Sequence, residues 1–92
     1  MVNFIFWTDV LQFIRPFLTK PNISLKVEMD VINQKIVFAE LSNLDESTVQ
    51  EIATLSKIFL WQSFYVVINR TDKRIRFLPC ITCLNTQVVF YI

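Results

Sequence analysis

Residues 69–83 read NRTDKRIRFLPCITC and hold most of the side chains whose types and spacing could do chemistry. Arg70, Lys73, Arg74 and Arg76 are cations within one short stretch, the groups that neutralise phosphates. Cys80 and Cys83 form a CxxC pair, a spacing used for metal binding and thiol exchange. In RIRF, the arginines alternate with Ile75 and Phe77, so on a strand both would project from one sheet face. Tyr65, on the preceding apolar run, could join them as a stacking surface.

Each chemistry needs companions. A structural zinc site takes four ligands, but the chain has only two cysteines and no histidine. A thioredoxin-type CxxC opens a helix, whose dipole lowers the thiol pKa, whereas this pair falls between strand-like runs. Cys80 and Cys83 are therefore expected to be packing residues, and no metal or cofactor is expected. The absence of histidine removes imidazole acid–base chemistry and the Ser-His-Asp and Cys-His pairs. The absence of glycine removes phosphate-binding loops, the dinucleotide fingerprint and the nucleophile elbow. Left-handed turn positions must then be filled by Asn, Asp or similar residues. Glu28 and Asp30 lie two apart on a strand-like run, a spacing that can chelate Mg²⁺ but more often marks a solvated face.

The elements that would position these groups are readable in order. Thr8, Gln12, Arg15 and Thr19 recur at helical spacing among apolar residues, predicting an amphipathic helix at least over Thr8–Arg15 that Pro16 kinks or ends. ISLKVEMD (23–30) alternates as a half-exposed strand, Asn33-Gln34 turns the chain, and KIVFAEL (35–41) is apolar on both faces and so more central. Val49, Ile52, Ala53, Ser56, Phe59 and Leu60 make a helical stripe. Glu46 and Glu51 sit near the start of that helix and Lys57 near its end, as the macrodipole prefers. SFYVVIN (63–69) and RIRFL (74–78) are strands around a turn at Arg70–Lys73, and QVVFYI (87–92) is a last strand. VINQ-KIVFAEL and VINRTDKRIRFL, each after a helix, suggest an αββ unit used twice. The expected fold is one α+β domain over residues 1–92, with order α-β-β-α-β-β-β. One mainly antiparallel sheet of about five strands carries two helices on one face.

Charge is unevenly spread. Residues 27–51 hold six acids against Lys35, net −5, while residues 52–92 hold five cations against Asp72, net +4. Such blocks can steer a charged partner or orient a self-complementary dimer; the plainer expectation is two solvated surfaces. Hydrophobic residues make up 53% of the chain and mean hydropathy is +0.45, so some apolar side chains must lie near the surface, as at an interface. Asp9 and Arg15 interrupt the apolar N-terminal stretch, so no membrane span is expected, and two cysteines without a signal sequence point to the cytoplasm.

The element order resembles the roadblock family, dynein light-chain-type and Ragulator-type scaffold modules of profilin-like fold. That resemblance implies a dimer through residues 46–60 and 63–69, with sheets joined edge to edge, serving to hold or regulate GTPases and larger assemblies. The glycines usual in that family's turns are missing here. If residues 2–7 form a strand instead, the order becomes ferredoxin-like, β-α-β-β-α-β-β. The chain then resembles the small CRISPR-adaptation nucleases, with Asp9 in FIFWTDV at the position of the family's acidic residue and echoes in QKIVFAEL and IRFLPCITCL. That family's basic first helix is absent. The leading expectation is a non-enzymatic adaptor, scaffold or regulatory subunit acting as a dimer with itself or a related subunit. Its interface or binding candidates are Tyr65, Arg70, Lys73, Arg74 and Arg76, with Phe59 and Trp61. The alternatives are a nucleic-acid-binding or nuclease-like dimer, and a small inhibitor or immunity-type protein directed at one enzyme.

Overall fold

Helix α1 (Trp7–Ile14) buries Val10, Phe13 and Ile14 and leaves Thr8, Gln12 and Arg15 exposed, so the wide apolar face is the packed one. A computed structural model of the chain describes residues 6–58, 64–79 and 88–91. Phe6 is extended at the N-cap and Trp7 is helical, while residues 2–5 lie outside the described residues. Asp9 Oδ2 accepts a hydrogen bond from the Phe6 amide at 2.9 Å, satisfying a donor that the helix start leaves unpaired. Pro16 cannot extend the α-helical ladder, and the chain tightens into a 3-10 segment over Arg15–Thr19.

Strands β1 (Ser24–Asp30) and β2 (Lys35–Ser42), helix α2 (Glu46–Ile58), and strands β3 (Phe64–Asn69), β4 (Arg74–Pro79) and β5 (Val88–Tyr91) follow. They form one sheet in the order β1-β2-β4-β3-β5. The first four strands run antiparallel to their neighbours, and β5 joins β3 in parallel. The class is α+β, with the expected element order.

Both helices serve one sheet face. Val10, Phe13 and Ile14 from α1 and Val49, Ile52 and Ala53 from α2 share a core with alternate strand residues. Those are Ala39 and Leu41 of β2, Phe64, Val66 and Ile68 of β3, and Ile75 and Phe77 of β4. Phe13 meets Phe77 edge-on at 6.2 Å between ring centroids, and Trp7 meets Phe64 at 4.7 Å. The β1 end of this face is thinly covered, with Val27 39% and Met29 54% exposed.

The two hairpins match in detail. Asp30 pairs with Lys35 across the first, and Asn69 with Arg74 across the second, so each loop has the same length. In each, the last residue of the leading strand turns its side chain onto loop amides. Asp30 Oδ1 accepts from Ile32 and Asn33 at 3.1 and 3.3 Å, and Asn69 Oδ1 accepts from Asp72 at 2.9 Å. In each, the residue just before the returning strand is left-handed, Gln34 at φ 53° and Lys73 at φ 56°. Asn43 (φ 59°) fits the expectation that Asn or Asp would fill such positions; Gln34 and Lys73 do not, and both carry the Cβ penalty. The αββ order thus recurs in three dimensions, with β2 and β4 as its antiparallel seam, but the shared letters do not coincide: Val31-Ile32-Asn33 is loop, whereas Val67-Ile68-Asn69 ends β3.

Strand order bears on both resemblances. A ferredoxin-like sheet sets its first strand beside the strand that precedes the second helix. Here β2, the strand that precedes α2, has β1 on one side and β4 on the other. Strand β3 lies inside the sheet, between β4 and β5, so edge-to-edge joining through residues 63–69 finds no open edge. The outer strands are β1 and β5.

Candidate interaction surface

The sheet face opposite the helices is built by strand alternation. Inward residues Ala39, Leu41, Val66, Ile68, Ile75 and Phe77 are buried, so their neighbours Phe38, Glu40, Tyr65, Val67, Arg74, Arg76 and Leu78 point the other way. Register lines them up. Lys26 lies opposite Glu40, Glu40 opposite Arg76 and Arg76 opposite Val67, a row of alternating charge ending in an apolar residue.

Glu40 is the electrostatic centre of this face. Its side chain is only 15% exposed, with Arg76 Nε 3.3 Å from Oε2 and Arg74 Nη1 3.9 Å from Oε1. The Arg76 guanidinium also lies over the Phe38 ring, 4.4 Å from its centroid, and Lys26 Nζ stands 5.8 Å from the same ring. Beside the arginines is a shallow depression of about 240 Å³, bounded by Glu40, Val67, Arg74, Arg76 and Leu78 and, at its end, Asn69 and Asp72.

The four cations of residues 70–76 do not act as one patch. Arg74 and Arg76 point onto the open face, which also carries Tyr65, as their alternation predicts. Arg70 and Lys73 lean instead towards α2. Arg70 Nη1 donates to Gln50 Oε1 at 3.3 Å, and Lys73 Nζ pairs with Glu46 at 2.8 Å while donating to the Arg70 carbonyl at 2.9 Å. The Leu44 amide donates to the Lys73 carbonyl at 3.3 Å, so Lys73 joins the β3–β4 turn to the entry of α2. The Lys73 ammonium holds the Glu46 carboxyl below its ordinary range. The charge blocks of the sequence therefore interleave on folding, Arg74 and Arg76 against Glu40 and Lys73 against Glu46.

At the start of α2, Asp45 accepts hydrogen bonds from the Ser47 and Thr48 hydroxyls, and these hold its carboxyl down to about 2. Lys20 Nζ donates to Thr48 Oγ1 at 2.6 Å and lies 4.0 Å from Asp45, fastening the 3-10 segment to α2. Asp9 and Asp30 are likewise committed to local amides, at the α1 start and in the β1–β2 turn. Among the described residues, no three acidic or cysteine side chains gather as a cation site. Phe59, Trp61, Cys80 and Cys83 lie outside the described residues.

Phe38, Glu40, Val67 and Leu78 join the surface without having been singled out from the sequence. Glu40 is the one charge inside an otherwise apolar run, which is a signal. Its partners come from β4, however, and only the non-local β2–β4 register names them. No protein-family model, curated protein or solved structure matches the chain.

Proposed function

We propose that this chain is a non-enzymatic protein-interaction module, an adaptor or regulatory subunit that works as a dimer, and that its helix-free sheet face receives a protein partner. The observation that carries this reading is the composition of that face. Half-buried Phe38, Tyr65, Val67 and Leu78 surround an arginine pair of which Arg76 is matched by Glu40, with Arg74 farther off at 3.9 Å. Aromatic and Arg anchors with few uncompensated charges suit a protein contact. A phosphate-tracking surface would carry a run of unmatched cations, whereas here Glu40 pairs with Arg76 and Glu46 with Lys73, which leaves Arg74 and Lys26 as the weakly matched cations.

The test is affinity capture from the native source with the wild-type chain and a Val67→Asp/Arg76→Glu variant, alongside titration with single-stranded DNA and RNA. A stoichiometric protein retained by the wild type and lost by the variant is the expected result. Salt-sensitive nucleic-acid binding that Arg74→Ala and Arg76→Ala weaken, with no protein retained, would overturn the reading.

A further inference from the structure

Strand β1 is an outer strand of the sheet with seven residues in regular alternation. The irregularity in its pairing, between Glu28 and Met29, places the extra residue, Val37, in β2 and leaves β1 itself unbroken. Its outer side therefore presents a straight row of backbone groups able to accept another strand. Apolar surface adjoins it, with Val27 39%, Met29 54% and Val37 44% exposed.

The side chains specify which strand. We propose that β1 docks antiparallel onto β1 of a second copy, centred on Val27, so that two sheets become one. This assignment rests on the dimeric reading above and names its surface. Ser24–Asp30 is symmetric about Val27, so a two-fold pairing overlaps all seven residues and sets Lys26 of each copy opposite Glu28 of the other. Lys26 and Glu28 lie on the same face, two residues apart, and neither is in an ion pair with another described residue. Leu25 falls opposite Met29 and Val27 opposite itself, an apolar ladder on the other face.

Competing registers are penalised by the same residues. A slip that centres the pairing on Lys26 sets two lysines opposite each other, and one centred on Glu28 sets two glutamates opposite. A slip of one residue sets charged side chains against the apolar ladder. The internal repeat adds an independent argument. β1 and β3 are equivalent strands of the two αββ halves, and the outer side of β3 takes β5 as a further strand. Among the described residues, no strand covers the equivalent side of β1.

The experiment uses the full chain with Cys80 and Cys83 changed to Ser, measured by sedimentation across the micromolar range. Glu28→Lys and Lys26→Glu should each weaken dimerisation at least ~10-fold, and the double exchange Lys26→Glu/Glu28→Lys should restore it. Glu28 faces Phe38 within its own sheet, so its reversal leaves the intramolecular charges least disturbed. In the same background, Val27→Cys should oxidise to a disulfide-linked dimer, because opposed Cα atoms in an antiparallel pair stand about 4.5–5.5 Å apart. Gln50→Cys, on α2, should not. A dimer that persists in both single reversals and gives no Val27→Cys crosslink overturns the β1 assignment while leaving the dimeric reading intact. Single reversals that disrupt without rescue by the exchange also overturn it. A wild-type chain that stays monomeric throughout overturns both.

Discussion

Arg76 and Glu40 face each other across the β2–β4 ladder, Nε to Oε2 at 3.3 Å, and the same guanidinium lies over Phe38, which flanks Glu40 at the second position along β2. One side chain thus closes both an ion pair and a cation–π contact on a half-buried surface. Arg74 reaches the same carboxylate only at 3.9 Å and is 57% exposed. Arg76→Ala should therefore cost about 1–2 kcal/mol and Arg74→Ala less than about 0.5 kcal/mol, by urea denaturation. Arg76→Lys should recover only part of the loss, since the planar fork and ring stacking go with the guanidinium. Equal costs at the two positions would contradict this ranking.

Asp45 makes the start of α2 sensitive to acid. Its carboxyl is held from an ordinary 3.8 down to about 2 by the Ser47 and Thr48 hydroxyls. A depressed folded-state value contributes stability that is complete above the ordinary value and is lost as pH falls through about 2. Asp45→Ala should lower the thermal midpoint at neutral pH, and the gap to wild type should narrow as pH drops through that window. A gap that stays constant with pH would show that the carboxylate's charge is not what the helix start uses.

Gln34 and Lys73 share a left-handed backbone and differ in what their side chains do. Gln34 is exposed in the β1–β2 loop, so Gln34→Gly should raise stability by about 1 kcal/mol through relief of the Cβ clash. Lys73→Gly gains the same relief but loses the Glu46 pair and the bond to the Arg70 carbonyl, so it should be neutral or destabilising. Chemical denaturation of the two variants under one set of conditions tests the contrast.

Phe77 is fully buried where β4 passes under α1, with Phe13 edge-on to it. Phe77→Ala should cost about 3–5 kcal/mol, a large share of what a domain of this size has. Loss of a cooperative thermal transition is the expected readout. A variant that melts within a few degrees of wild type would show that the core collapses around the missing ring.

Local structure was legible because it is written locally. The spacing of Thr8, Gln12 and Arg15, the break at Pro16 and the alternation in ISLKVEMD and RIRF each describe a few neighbouring residues, and the elements form where those patterns lie. What the pattern could not carry is which strands meet. Nothing near Glu40 says that Arg76 stands opposite it, because β4 reaches β2 only after α2 and β3 have intervened. For the same reason the cations at 70–76 read as one cluster. Arg74 and Arg76 obey strand alternation, but Arg70 and Lys73 sit in a loop, where direction is set by contact with Gln50 and Glu46 of α2. The left-handed Gln34 and Lys73 were hidden because a glycine-free chain gives those positions no distinctive residue.

The paired hairpins carry a consequence for ancestry. They keep loop length, an Asx side chain on the loop amides and a left-handed last residue, while their loop sequences VINQ and RTDK share no residue type at any position. A duplication followed by drift leaves such a trace, in which backbone geometry is inherited longer than the letters that first encoded it. The β2–β4 seam would then descend from the contact between two separate copies of a shorter gene product. Exchanging residues 31–34 with 70–73 should leave both hairpins intact by hydrogen exchange, and loss of either would mean that the loops reached one shape independently.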